Sequence, residues 1–296
     1  MIFLILFFTI TNIFSHEIFN KLDARMVYAN SLVCVGLDPD ITKMPASIMS
    51  THQDIEDKVY NFLTQVIDIT APHACSFKLQ KAFFDCYVLG YLLLKKTVGY
   101  IRKNHPDIPV IIDCKIGDID NTMKAYMSLL FEDIKADAVV INPYMGDEVL
   151  EPFMQDKNKV AVVLIKTSNP HADVVQGLML SDGKKLWEEI LNLTVTRWNT
   201  NKNLMIVVAS NTHPHDCELI RKQISHDMPI LLVGIGVQGG DPAILKALLN
   251  ENKRGVIVNS SRGILYPYKS SDQHWKTAIE KAIIDLKNTL NSIRTA

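Results

Sequence analysis

Cysteine is scarce and unpatterned in this chain: Cys34, Cys75, Cys86, Cys114 and Cys217 include no C-x-x-C pair and are odd in number. Such a set argues against a disulfide framework and against a zinc ribbon. Cys34, Cys75 and Cys114 lie inside apolar runs, where a free thiol behaves as a small hydrophobe in a reducing compartment. Charge of one sign is missing too. With 31 basic and 32 acidic residues the formal charge is -1, so no overall field draws the chain to nucleic acid or to an acidic membrane. Any bound anion must be held locally. No G-x-G-x-x-G opens a first helix, which argues against a doubly wound dinucleotide fold. No low-complexity linker or charge block divides the chain.

An apolar run long enough to cross a bilayer is also lacking. The opening MIFLILFFTITNIF is too short to span one comfortably as a helix. It resembles the core of a signal peptide, yet no Lys or Arg precedes it. Secretion, an uncleaved leader and an upstream translation start all stay open, and the protein is expected to be cytoplasmic with no membrane partner. Residues 1–15 are set outside the fold, and residues 16–296 are expected to form one domain. The stretch THPHD offers His213 and His215 to a metal, but no obvious third ligand accompanies them, and a polar loop is the expectation.

What is present is a rhythm. Eight short segments rich in Val, Ile and Leu read as strands buried on both faces, the pattern of a parallel sheet covered by helices. They are SLVCVGLD from Ser31, HACSFKLQ from His73, PVIIDCK from Pro109, DAVVINPY from Asp137, VAVVLIKTS from Val160, LMIVVAS from Leu204, PILLVGIG from Pro229 and RGVIVNSSR from Arg254. Stretches between them, such as DIEDKVYNFLTQVIDITA and GKKLWEEILNLTVTRWN, repeat apolar residues at three and four, as amphipathic helices do. The starts recur every roughly 32 residues, the size of a strand, a helix and two loops. Eight such units predict a single (β/α)8 barrel, with its site at the carboxyl ends of the strands.

Each proposed strand ends in polar or glycine residues: Asp38, Lys78 and Gln80, Asp113 and Lys115, Asn142, Thr167 and Ser168, Ser210 and Asn211, Gly236 and Gln238, Ser261 and Arg262. Asp113 and Lys115 are two apart, so strand alternation predicts both side chains in the barrel mouth, with Cys114 facing away. Lys78 and Asp118 are expected in the same space. Opposite charges ~4 Å apart attract by about 4 kcal/mol at an effective dielectric near 20. An ion-pair cluster that merely closes the barrel end remains the structural alternative. GIGVQGGDP after the seventh strand and NSSRGI after the eighth combine glycine backbone N–H groups with the planar double donor of Arg262, which suits a phosphate monoester.

From about Phe19 to the last helix the chain resembles the orotidine 5'-phosphate decarboxylase family, in its subgroup with larger inserts. The signature D-x-K-x-x-D-I-x-x-T stands as Asp113, Lys115, Asp118, Ile119 and Thr122, supported by VGLDP, FKLQKAFF, NPYMG, KTSNP, GIGVQGGD and NSSRGI in order. The stretch from His171 to about Trp198 is one insert region. One departure is Val233, where many relatives carry proline, and it is expected to alter loop stiffness rather than chemistry.

The resemblance implies decarboxylation of orotidine 5'-phosphate to UMP, the last step of de novo UMP synthesis, without metal or organic cofactor. Lys115 is implied as proton donor to C6, Asp113 as the group beside the departing carboxylate, and Lys78 as partner of Asp113. Asp118 and Thr122 are implied to complete the partner's site in a homodimer. Asp38 is implied as a ribose ligand and Ser168, with Thr167, as the contact to the pyrimidine amide. Gln80 is a further substrate contact, and Gln238, Gly239, Gly240 and Arg262 are the phosphate grip. Two other readings stand beside this one: the magnesium-dependent hexulose-phosphate synthase and ketogulonate-phosphate decarboxylase group, which carries a similar D-x-K-x-x-D, and a phosphate-binding barrel without catalysis.

Overall fold

The structure, a computed structural model, describes residues 16–235 and 244–295. The leader and the phosphate-loop residues Gly236, Gln238, Gly239 and Gly240 lie outside the described residues. All eight expected strands form: β1 Val33–Gly36, β2 Ser76–Gln80, β3 Val110–Ile116, β4 Ala138–Ile141, β5 Val160–Leu164, β6 Leu204–Ala209, β7 Ile230–Val233 and β8 Val256–Ser260. Each pairs in parallel with the next, and β1 pairs with β8 through Val33 and Val258, closing the barrel. Strands such as β1, β4 and β6 are buried along their whole length, because side chains of one face fill the interior while the other face meets the helices.

The helix Ile55–Thr70 shows how the outer layer is specified. Its buried residues Val59, Phe62, Leu63, Val66, Ile67 and Thr70 recur at three and four and therefore form one stripe. Glu56 and Asp57 occupy its first turn, where the helix dipole favours negative charge. A 3-10 turn at Ala71–His73 with Pro72 ends it. Phe62 is fully buried and packs on Tyr266 and Trp275, so its truncation to alanine costs about 3–5 kcal/mol. The helix Trp275–Thr295 closes the ring against Ile55–Thr70.

At the amino end of the barrel the helix Glu17–Tyr28 is tied down by two cations. Arg25 is buried, donates to the carbonyls of Ala74 and Ala71, and pairs with Asp107. Arg254 grips Asp23 through two nitrogens. The insert region folds as a short helix Asp173–Gln176, a bridge between Met179 and Lys185, a helix Leu186–Leu193 and a wide turn Thr194–Trp198. Among the described residues no helix is long and apolar enough to cross a membrane.

Candidate active site

A cavity of about 630 Å³ opens at the carboxyl ends of the strands. Asp38, Lys78, Gln80, Asp113, Lys115, Thr167, Ser168, Ser261 and Arg262 line it, so most of the expected site residues meet there. The ends of β4 and β6 do not follow the expected pattern. Val140 and Val207 face the cavity instead of Asn142 and Ser210; Asn142 accepts the N–H of Tyr144 and starts the Pro143–Met145 turn. Asn211 borders a second cavity beside the insert.

The charged centre is built on β2 and β3. Lys78 is 3% exposed, with Nζ 3.4 Å from Asp113 and 3.9 Å from Asp38. Burial disfavours its ammonium, but Asp38 and Asp113 together outweigh burial and hold its pKa above the ordinary lysine value. Asp113 is 6% exposed and accepts from Lys115 Nζ at 2.6 Å on its other oxygen. One carboxylate therefore bridges two ammonium groups, the inner one buried and the outer one 45% exposed toward the cavity.

Simple alternation does not place Lys115. The β3–β4 register shifts between Asp113 and Ile116, and Lys115 has a left-handed backbone with φ of 46°. A non-glycine residue there costs about 1–2 kcal/mol. The bulge is held by the Asn142 N–H, which donates to Ile116 O at 2.7 Å. Gly117 lets β3 come this close: a Cβ on it would lie 2.5 Å from Asn142 O. Cys114 is half-buried rather than fully turned into the core, with Sγ near Ile112 O and Val140 O.

Asp118 and Thr122 do not join this cluster within the chain. Asp118 accepts the N–H of Ile119 at 2.8 Å, Thr122 is exposed on the helix Asp120–Met127, and neither lines the cavity. The expectation that four charges share one mouth is corrected to three, with Asp38 as the fourth member. The reason is local: the chain turns away after the bulge to start the helix at Asp120.

After β8, Arg262 opens the short helix Arg262–Leu265 and is exposed where it lines the cavity. Ser261 beside it has an Oγ with no protein partner among the described residues. β1 comes tight against this loop, since a Cβ on Gly36 would lie 2.7 Å from Ser261 Cβ. Several lining residues escaped sequence reasoning. Tyr266 accepts from Asp40 N and donates to Asp38 O, at 2.7 and 3.2 Å, pinning the loop that carries Asp38 to the end of the barrel. Lys43 pairs with Asp40 and sits over the Tyr266 ring; with Thr42 it holds the Asp40 carboxyl below the usual range. Only the VGLDP block pointed toward this loop. Gln80 presents its backbone N–H to Asp38. His213 caps the helix Pro214–Gln223, and the described residues hold no cluster of three or more candidate metal ligands.

Residues 31–273 match the family model described as Orotidine 5'-phosphate decarboxylase / HUMPS family. The chain belongs to this family. The orotidine 5'-phosphate decarboxylase of Bordetella pertussis is 36% identical over 93% of this chain and 98% of that protein. Its Cupriavidus metallidurans counterpart is 38% identical over 93% and 97%. Among solved structures, the Leishmania donovani OMP decarboxylase superposes with a TM-score of 0.78 at 29% identity, covering 94% of this chain and 98% of that one.

Proposed function

We propose that this chain decarboxylates orotidine 5'-phosphate to UMP, the last step of UMP synthesis, with residues 16–296 as one catalytic domain. The observation that carries the reading is the Lys78–Asp113–Lys115 chain of charges in a cavity that Arg262 also lines. Loss of CO2 from C6 leaves an electron pair in the ring plane, which the ring's π system delocalises poorly. A fixed ammonium beside C6 stabilises that charge without reorganisation, and Lys115 then delivers the proton. Asp113 anchors Lys115 by the 2.6 Å contact and lies next to the departing carboxylate. Lys78, held charged by its two carboxylates, keeps Asp113 in place.

Asp38 contacts the ribose, Gln80 is a further substrate contact, and Thr167 and Ser168 meet the pyrimidine amide. Arg262 grips the phosphate together with Gln238, Gly239 and Gly240. Binding energy from that remote group is used to orient the ring. No metal or organic cofactor takes part. Asp118 and Thr122 complete the site of a second copy in a homodimer. Their position outside their own cavity supports this, as does Ile119, 49% exposed between them in the sequence.

The test is the ultraviolet absorbance of orotidine 5'-phosphate with purified protein in chelator, for the wild type and Lys115→Ala. The substrate band is expected to disappear with the wild type alone. Persistence of the band with the wild type in chelator, together with magnesium-dependent turnover of a hexulose or ketogulonate phosphate in a separate assay, would move the chain to the magnesium-dependent group.

A further inference from the structure

Beyond the last ladder bonds of β5, where Ile165 and Lys166 donate to Val207 O, the chain runs through Thr167, Ser168 and Asn169 along the cavity wall. Behind this stretch lies the second cavity, about 420 Å³ and bordered by Thr167, Asn169 and Gln176. The conformation of the stretch is held by a side chain of the insert, Gln176, and by the Ala172 N–H, which donates to Asn169 O. Gln176 Oε1 accepts the Thr167 N–H at 3.1 Å and its Nε2 donates to Thr167 Oγ1 at 2.7 Å. Thr167 Oγ1 in turn donates to Asn169 Oδ1 at 2.6 Å. A single amide thus satisfies both the backbone and the hydroxyl of Thr167.

Gln176 is itself well placed. It ends the helix Asp173–Gln176, and the following chain returns through Leu180 N–H to Lys184 O and Leu186 N–H to Leu178 O, both 2.8 Å. That return leads into the helix whose Trp187 is buried. The insert is therefore a folded brace with its polar tip on Thr167.

We propose that Gln176 is a positioning residue for base recognition: through Thr167 it sets the stretch that meets the pyrimidine, while the phosphate grip is independent of it. This rests on the functional reading above. Gln176→Met keeps length and helix propensity but removes both hydrogen bonds. UMP is expected to bind the variant about tenfold more weakly, the scale of a lost hydrogen bond that leaves a part-buried N–H unsatisfied. Ribose 5-phosphate, which lacks the base, is expected to bind within about twofold of the wild type. In a double-mutant cycle, Thr167→Val is expected to weaken UMP less in the Gln176→Met background than in the wild type.

Unchanged UMP affinity, equal weakening of both ligands, or strict additivity in the cycle would each overturn the proposal. If the wild type itself holds UMP no more tightly than ribose 5-phosphate, the functional reading fails instead. The two failures are thus distinguishable.

Discussion

Replacing Asp113 by Asn keeps its shape and removes its charge. Lys78 then remains buried with Asp38 alone, 3.9 Å away. At an effective dielectric near 20 the lost 3.4 Å contact is an attraction of about 5 kcal/mol. Asp38 remains and the cavity admits water, so the expected loss of stability is about 3 kcal/mol, the low end for breaking a buried pair. With a urea slope near ~3 kcal/mol per molar the midpoint falls by roughly 1 M. The pH dependence is more diagnostic. In the wild type Lys78 has a raised pKa, so its contribution is complete below the unfolded value of about 10.4 and declines as pH rises beyond it. Burial is the largest single influence on Lys78 and exceeds that of Asp38. Asp113 is among the groups that raise the Lys78 pKa, so without its charge the pKa falls below its wild-type position. At alkaline pH the folded variant then binds fewer protons than the folded wild type, so the stability gap between the two proteins shrinks as pH rises. Urea unfolding followed by tryptophan fluorescence from about pH 8 to 10 should show the gap between the two proteins narrowing. A constant or widening gap would refute the charge assignment at Lys78.

Two further outcomes are expected. Gly117→Ala places a Cβ 2.5 Å from Asn142 O and displaces Lys115, so kcat should fall at least about tenfold while UMP affinity stays within roughly threefold; an unchanged kcat would show that the bulge does not position the lysine. Specific activity should fall when the protein is diluted until sedimentation shows monomer, because Asp118 and Thr122 then complete no site. A fully active monomer contradicts the homodimer.

The strands were legible because Val, Ile and Leu buried on both faces leave few other structures open to them, and all eight occur where the pattern places them. The cluster of Lys78, Asp113 and Lys115 was legible too, although for an incomplete reason. Alternation assumes a regular strand, and Lys115 reaches Asp113 through a bulge with a left-handed residue. Such a bulge is set by the neighbouring strand, at Asn142, and has no signature within β3 itself. Asp118 follows the same bulge, which is why its distance from the cluster could not be read from spacing. Tyr266 and Lys43 act across the closure between β1 and β8, and Gln176 acts across a loop; contacts made between distant segments leave no local period to detect.

Closure of the barrel also orders the history of each molecule. β1 must find β8, its partner from the far end of the chain, and until β8 has been synthesised both β1 and β7 present strand edges without a partner. Unfilled edges of apolar strands are templates for other chains, and such non-local pairing makes folding slow. The nascent protein is thus most exposed to aggregation just before its last strand emerges. Asp38 and Arg262, on the loops after β1 and β8, come together only in that closing step.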